Sequence, residues 1–195
     1  MLTKEQIIDV FLETGAMLKG HFLLSSGKHS DTYLQCARVM QYPKKGELLC
    51  SQLASLIDVK VDVVLAPALG GIRAGHEVAR ALGARSLYCE RLHGSFTLRR
   101  GFEIRPGERV LVIEDVITTG DSIIEAISLA KSMGADVLMG GSLVDRSNGT
   151  AQLGVPYRSL LTIDVPAYDP DNCPICDEAK LDLVKPGSRD IIKRV

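Results

Sequence analysis

Residues 110–122 read VLVIEDVITTGDS, and no other stretch limits the fold as tightly, because its parts demand different environments. Val110 to Ile113 follow the turn former Arg105-Pro106-Gly107-Glu108 and read as a short strand buried on both faces of a parallel sheet. After Ser122 the period changes: Ile123, Ile124, Ile127 and Ala130 share one face of a helix that Gly134 stops. Glu114 and Asp115 then stand where the strand leaves the sheet, the end at which open α/β sheets bind ligands. Thr118-Thr119-Gly120-Asp121-Ser122 offers hydroxyls, a glycine that admits close backbone approach, and the unpaired N–H groups of a new helix, which together make an anion seat. No lysine follows the glycine, so this is not the nucleoside-triphosphate loop, and G-x-G-x-x-G is absent too. What remains is acids for sugar hydroxyls and amides for a phosphate. Helix capping by Thr118 and Asp121 alone needs neither the acidic pair nor the glycine.

The stretch resembles the 5-phosphoribosyl 1-diphosphate (PRPP) signature of the type I phosphoribosyltransferases: an apolar strand, two acids, two apolar residues, Thr-Thr-Gly and a small hydroxyl residue. The resemblance implies that Glu114 and Asp115 hold the ribose 2- and 3-hydroxyls, directly or through Mg²⁺, with Asp115 the candidate ligand of the ion. It implies that Val116, Ile117, Thr118, Thr119, Gly120, Asp121 and Ser122 wrap the 5-phosphate.

The chain is 195 residues long and 46% hydrophobic, without a linker-like tract, which suits one well-buried domain. Its net charge is −1, so no nucleic-acid footprint is expected and local clusters must do any phosphate binding. No apolar run reaches about 20 residues, and MLTKEQIIDV carries acids where a secretory signal would be basic, so a cytoplasmic protein with no membrane partner is expected. Five cysteines without framework spacing agree with a reducing compartment.

Taken in order, Thr3 and Gln6 form a capping box for a first helix with Ile7, Ile8, Phe11 and Leu12 on its apolar stripe. Phe22-Leu23-Leu24 and Tyr33-Leu34 flank a Ser-Ser-Gly-Lys turn, which reads as an edge hairpin or as a flap before the main sheet. Beside the PRPP signature, HFLLSSGKHSDTYLQC is similar to the hood of the orotate phosphoribosyltransferases, which covers the pyrimidine. That likeness makes Tyr33 and Leu34 orotate contacts. It also exposes a departure, Ser25 in place of a lysine, with Lys28 on the other side of the turn.

Pro43 opens a second helix, and Val61 to Ala66 reads as the first strand of the main sheet. The turn after it, Pro67-Ala68-Leu69-Gly70-Gly71, is a second place where amides can meet an anion. It resembles the family's pyrophosphate loop, in which an often cis, non-proline peptide faces the diphosphate. Ala68-Leu69 is the matching bond, with Gly70 where several relatives have a lysine. A helix from about Gly75 to Leu82 leads to a strand at Ser86 to Glu90. Arg91 to Gly101 is then the most basic stretch, suited to a mobile segment over a polyphosphate or to a solvated hairpin. By resemblance Arg91 is the catalytic arginine that reaches a neighbouring subunit's diphosphate, which implies a homodimer with shared sites. His93, Arg99 and Arg100 are candidates by charge alone.

Asp136 to Val144 and Leu160 to Val165 complete five strands that alternate with helices, a doubly wound, mostly parallel α/β sheet with helices on both faces. The core spans about 43–166, and the hood about 1–40 with a C-terminal tail. Arg146, just past a strand end, is placed to grip a carboxylate with its fork of donors, and by resemblance it joins Thr118 on orotate. Cys173-Pro174-Ile175-Cys176 is half a zinc site without a second pair, and reads as a structural tail or an incidental metal site. The chemistry that the resemblance implies is transfer of phosphoribose from PRPP to orotate, with Glu114, Asp115 and Arg91 catalytic and Mg²⁺ as cofactor. A purine-base transferase and a PRPP-sensing regulator are the competing readings.

Overall fold

The β6 strand, Arg109–Ile117, forms the centre of the sheet. From Val110 to Ile113 its side chains alternate between two cores, which is why that run shows no polar face. Leu111 and Ile113 enter one apolar cluster, and Val110 and Val112 enter another on the opposite side. Each buried Val, Leu or Ile contributes about 1.5–3 kcal/mol, so this strand anchors both layers.

The computed structural model describes residues 1–24, 26–177 and 181–186. A capping-box helix α1 (Lys4–Glu13) precedes an antiparallel pair, β1 (Met17–Leu23) and β2 (His29–Leu34). Then follow α2 (Pro43–Ala54), β3 (Val63–Pro67), α3 (Gly71–Leu82), β4 (Arg85–Leu92), β5 (Ser95–Leu98), β6, α4 (Asp121–Ser132), β7 (Asp136–Asp145), β8 (Tyr157–Thr162) and the single turn α5 (Pro174–Asp177). The main sheet runs β5-β4-β3-β6-β7-β8, with every pairing parallel except β4 with β5. The five expected strands are the parallel ones. The sixth is an antiparallel edge made from the basic stretch.

The chain turns outward from β3 to β4, then returns to place β6 on the other side of β3. The connections after β3 and β6 therefore diverge, with Ala74 and Val78 of α3 packed into one core and Ile123, Ala126 and Ile127 of α4 into the other. That divergence opens a crevice at the carboxyl ends of these two strands. Gly75 permits the close approach of α3 to β3: a Cβ there would lie 2.7 Å from the Cβ of Ala66.

The hood packs through Phe11, Met17, Leu34 and Cys36 against Leu49 and Leu53 of α2 and the sheet residues Leu111 and Ile113. The C-terminal tail crosses back onto the hood. Tyr168 and His29 exchange backbone hydrogen bonds of 2.8 Å each, and Val184 donates to His21 and accepts from Leu23, both at 2.9 Å. Lys28 forms an exposed ion pair with Asp169 of the tail. Ser25 lies outside the described residues. The tail also corrects the reading of Cys173 and Cys176 as half of an incomplete site, since two histidines of the hood stand beside them.

Candidate active site

Strand β6 continues beyond its apolar run, because Glu114 pairs with Ser142, Val116 with Val144 and Ile117 with Asp145 across the ladder to β7. The two acids thus lie within the last turns of a central strand and not beyond it, which corrects the expectation that the strand ends at Ile113. Glu114 is buried and Asp115 half-buried. Burial, followed by the charge of Asp115, pushes the Glu114 carboxyl up to about 9, and burial raises Asp115 as well. Each accepts from the adjoining backbone, Asp115 N–H donating to Glu114 Oε1 at 3.2 Å and Val116 N–H to Asp115 Oδ1 at 2.9 Å, and the two carboxyls also interact with each other. Among the described residues neither acid has a salt bridge to a basic side chain. Such a pair favours hydroxyl donors or a cation.

The loop after β3 closes on these acids. A Cβ at Gly70 would lie 2.7 Å from Asp115 Oδ1, and one at Gly71 would lie 3.0 Å from the Ile113 carbonyl and 3.1 Å from Glu114 Oε1. The backbone of Gly70 is right-handed helical, with φ −58°, so close approach and not conformation accounts for this glycine. The Ala68–Leu69 peptide bond is cis. Ala68 N–H is bonded to Cys89 O at 2.8 Å, while the Leu69 side chain is exposed. An anion would therefore meet the amides from Leu69 onward, together with the first turn of α3. Sequence placed Gly71 in this anion-binding turn but not its close approach to Ile113 and Glu114, which only the packing of α3 on β6 creates.

Beyond Ile117 the chain forms a recess of about 140 Å³ lined by Glu114 and by residues from Val116 to Ile123, including Thr118, Thr119, Asp121 and Ser122. Gly120 caps α4 in the left-handed region at φ 91°, which strongly favours glycine. Thr119 Oγ1 donates to Asp121 Oδ2 at 2.8 Å, which holds the loop at the N-terminus of α4. Unsatisfied N–H groups and the positive end of the helix face this recess.

Arg146 follows β7 directly, and its backbone N–H donates to Ile117 O at 2.8 Å, which ties its main chain to the end of β6. Its Nε is buried without a hydrogen-bond partner. Burial is the main influence pulling its pKa down, opposed by the Cys36 and Tyr33 side chains. Arg146 is not neutralised by Asp145. That acid is buried and occupied with Ser147 N–H and Oγ, Gly149 N–H and the Tyr157 hydroxyl, at 2.7, 2.6, 3.1 and 3.0 Å. A buried donor with no acceptor is costly, and a bound carboxylate would relieve it.

Tyr33 is half-buried on β2, with its ring 5.9 Å from that of Phe22. Leu34 points the other way and is 7% exposed within the core, so the expected side-chain contact with the base is corrected to a packing role. Cys36, not singled out from sequence, is buried where it senses Asp115, Arg146 and Glu114, and burial pushes its thiol well up.

The basic segment is a hairpin, with His93 and Gly94 at φ 52° and 91° in the two-residue turn between β4 and β5. Of the two readings of this stretch, the fold has the form of the solvated hairpin. Within this chain Arg91 pairs with Glu125 of α4 at 2.8 Å, donates to Gly94 O at 2.8 Å and lies 4.2 Å over the Phe96 ring. Arg100 makes a two-point contact with Glu90.

A doubly wound sheet with an acid pair, a glycine turn and a helix-capped anion seat around its switch point belongs to the class of α/β proteins that hold phosphorylated sugars. The model of the phosphoribosyl transferase domain matches residues 42–167, and the chain belongs to that family. It is 56% identical over 191 residues to an orotate phosphoribosyltransferase of Desulforamulus reducens, covering 97% of this chain and all of the relative. It is 52% identical, with the same coverage, to one of Pelotomaculum thermopropionicum. Among solved structures, the orotate phosphoribosyltransferase of Aeropyrum pernix aligns with a TM-score of 0.66 and 28% identity, over 80% of this chain and 93% of that one. The Mycobacterium tuberculosis enzyme in complex with PRPP aligns with a TM-score of 0.65 and 25% identity, over 80% and 94%.

Proposed function

We infer that the chain is an orotate phosphoribosyltransferase, which transfers the 5-phosphoribosyl group of PRPP to orotate and releases orotidine 5-monophosphate and diphosphate, a step of pyrimidine synthesis. The transferase class rests on the family and on relatives matched along their whole length. The observation that carries the acceptor is Arg146, whose buried Nε lacks a partner and whose guanidinium lies within electrostatic reach of Tyr33 and Cys36. Orotate has a carboxylate for that donor; the purine bases do not, and this disfavours the purine reading. A regulator that only senses PRPP would have no use for the clamp.

In this reading the 5-phosphate sits on the amides and hydroxyls of Thr118 to Ser122, and Glu114 and Asp115 accept from the ribose hydroxyls. The diphosphate lies against the amides of Leu69, Gly70 and Gly71. The pyrimidine nitrogen bonds to the anomeric carbon as the bond to diphosphate oxygen breaks. The protein's task is to position the two substrates and stabilise a cationic ribose, with no protein nucleophile. The buried acid pair without a cationic side chain fits a divalent ion, so Asp115 with Glu114 would hold Mg²⁺, which when bound offsets charge on the diphosphate. Tyr33 and Thr118 border the base.

The active unit is a homodimer in which Arg91 serves the neighbouring site, and a cytoplasmic setting suits its reduced cysteines. No helix among the described residues is long and apolar enough to cross a membrane. Arg146→Ala tests the acceptor assignment: the orotate KM should rise at least tenfold more than the PRPP KM, in line with loss of a charge-assisted contact of about 1.5–3 kcal/mol. Equal effects on both would reject the clamp.

A further inference from the structure

The hood and the tail bring four metal-ligating side chains to one point. His21 lies on β1, His29 on β2, and Cys173 and Cys176 on the turn that ends in α5. All four donor atoms lie within 4.8 Å of one another. His21 Nε2 is 3.0 Å from His29 Nδ1 and 3.6 Å from each of the two sulfurs, and His29 Nδ1 is 3.3 Å from Cys176 Sγ. Bonds of about 2.0–2.3 Å at a tetrahedral angle hold their donor atoms about 3.3–3.8 Å apart; the three nitrogen–sulfur separations of 3.3–3.6 Å fall in that range, and the 3.0 Å between the two histidine nitrogens and a widest spread of 4.8 Å need only small adjustments to close around one ion.

We propose that His21, His29, Cys173 and Cys176 form a structural zinc site that fastens the C-terminal tail to the hood. Two thiolates and two imidazoles in a tetrahedral arrangement select zinc and disfavour Mg²⁺ or Ca²⁺, which take oxygen ligands. The four protein ligands leave no position for water or substrate, so the ion is structural and separate from the acid pair of the active site.

The surroundings are built to orient the ligands. His21 Nδ1 is 3.2 Å from the Leu181 carbonyl, so an N–H there fixes the tautomer and aims the Nε2 lone pair at the ion. Cys176 N–H donates to Cys173 O at 3.0 Å, a turn that directs both sulfurs to one side. The backbone pairs of Tyr168 with His29 and of Val184 with His21 and Leu23 bind the tail on both sides of the cysteines. His21, His29 and Cys173 are 4%, 6% and 1% exposed and Cys176 is exposed, so the ion would sit under the surface with one sulfur toward solvent. All four ligands lie outside residues 42–167, the part matched by the family model, so the site joins the two ends of the chain around the shared domain.

The test begins with the wild-type protein, purified under reducing conditions without chelator and analysed by mass spectrometry of its metals. A single zinc per chain is expected. Replacement by cobalt(II) should give the visible bands of a tetrahedral ion and a near-ultraviolet thiolate charge-transfer band. Cys176→Ser and His29→Ala should each lose both the zinc and the cobalt spectrum, while Cys50→Ala keeps them. Stripping the metal should lower the melting temperature and increase proteolysis after residue 167. The proposal is overturned if the wild-type protein holds only substoichiometric zinc and cobalt(II) gives no tetrahedral spectrum. It is equally overturned if Cys176→Ser keeps a full complement of zinc. Should a variant fail to fold, the wild-type zinc content and cobalt titration decide.

Discussion

Replacing Glu114 by Gln should stabilise the unliganded protein around and above neutral pH while removing its use of PRPP. Glu114 is held up at about 9 against an ordinary value of 4.5, first by burial and then by the charge of Asp115. Between those values the folded chain keeps a proton that the unfolded chain gives up. The protonated form's contribution is therefore complete below about pH 4.5 and is lost progressively as pH rises toward 9. One pKa unit is about 1.4 kcal/mol, so at about pH 7.5 the three intervening units set a ceiling of about 4 kcal/mol. Gln keeps the shape of the neutral acid, can still accept from the Asp115 N–H and never ionises. We expect the variant to exceed the wild type by about 2–4 kcal/mol at about pH 7.5, and to match it near pH 4.5. Urea unfolding across that range, without ligand, measures the difference. Parallel pH profiles for the two proteins, or a variant less stable at about pH 7.5, would refute the argument that this acid is buried for its ligand at the expense of the fold.

Other outcomes follow from the same geometry. Asp115→Asn should fold normally and lose most turnover, by about 10²-fold or more, because the carboxylate charge that would face a cationic ribose and a bound divalent ion is removed; steady-state kinetics with a circular dichroism control reads it. Gly75→Ala places a Cβ 2.7 Å from that of Ala66, and should cost about 1–3 kcal/mol in chemical unfolding despite alanine's better helix propensity. Mixing inactive Arg91→Ala and Asp115→Asn chains should restore activity, since one site of each mixed dimer carries both lesions and the other neither; a mixture that exchanges subunits and stays inactive rejects sharing of sites.

Much of the fold was legible because each element's pattern agreed with its neighbours. The change from an apolar run to a helical period around Glu114–Ser122 pointed to both the central strand and the loop at the start of α4, and the glycines after β3 pointed to the second loop. The strand's true end was hidden, since two carboxylates look like a departure from a sheet, and only the ladder to Ser142 and Val144 keeps them in it. The edge strand Ser95–Leu98 was open in the sequence as one of two readings of a basic stretch, and the ion pairs of Arg91 and Arg100 with Glu125 and Glu90 that go with the hairpin are long-range contacts a local pattern does not show. Leu34 was put at the base together with Tyr33 by the likeness of the hood, although alternation along a strand sends adjacent side chains to opposite faces. The second half of the cysteine site could not be read locally: His21 and Cys173 are 152 residues apart and meet only because the tail adds to the hood. Nor does sequence show that Asp145 is already satisfied, the fact that leaves Arg146 open for a ligand.

The most direct test of the account is turnover of PRPP with Mg²⁺ against a panel of orotate, uracil, adenine, guanine and hypoxanthine, with diphosphate and nucleotide both measured. The account predicts equal release of diphosphate and orotidine 5-monophosphate with orotate, and no nucleotide from the purines. Turnover with a purine base, or binding of PRPP without transfer to any base, would contradict it.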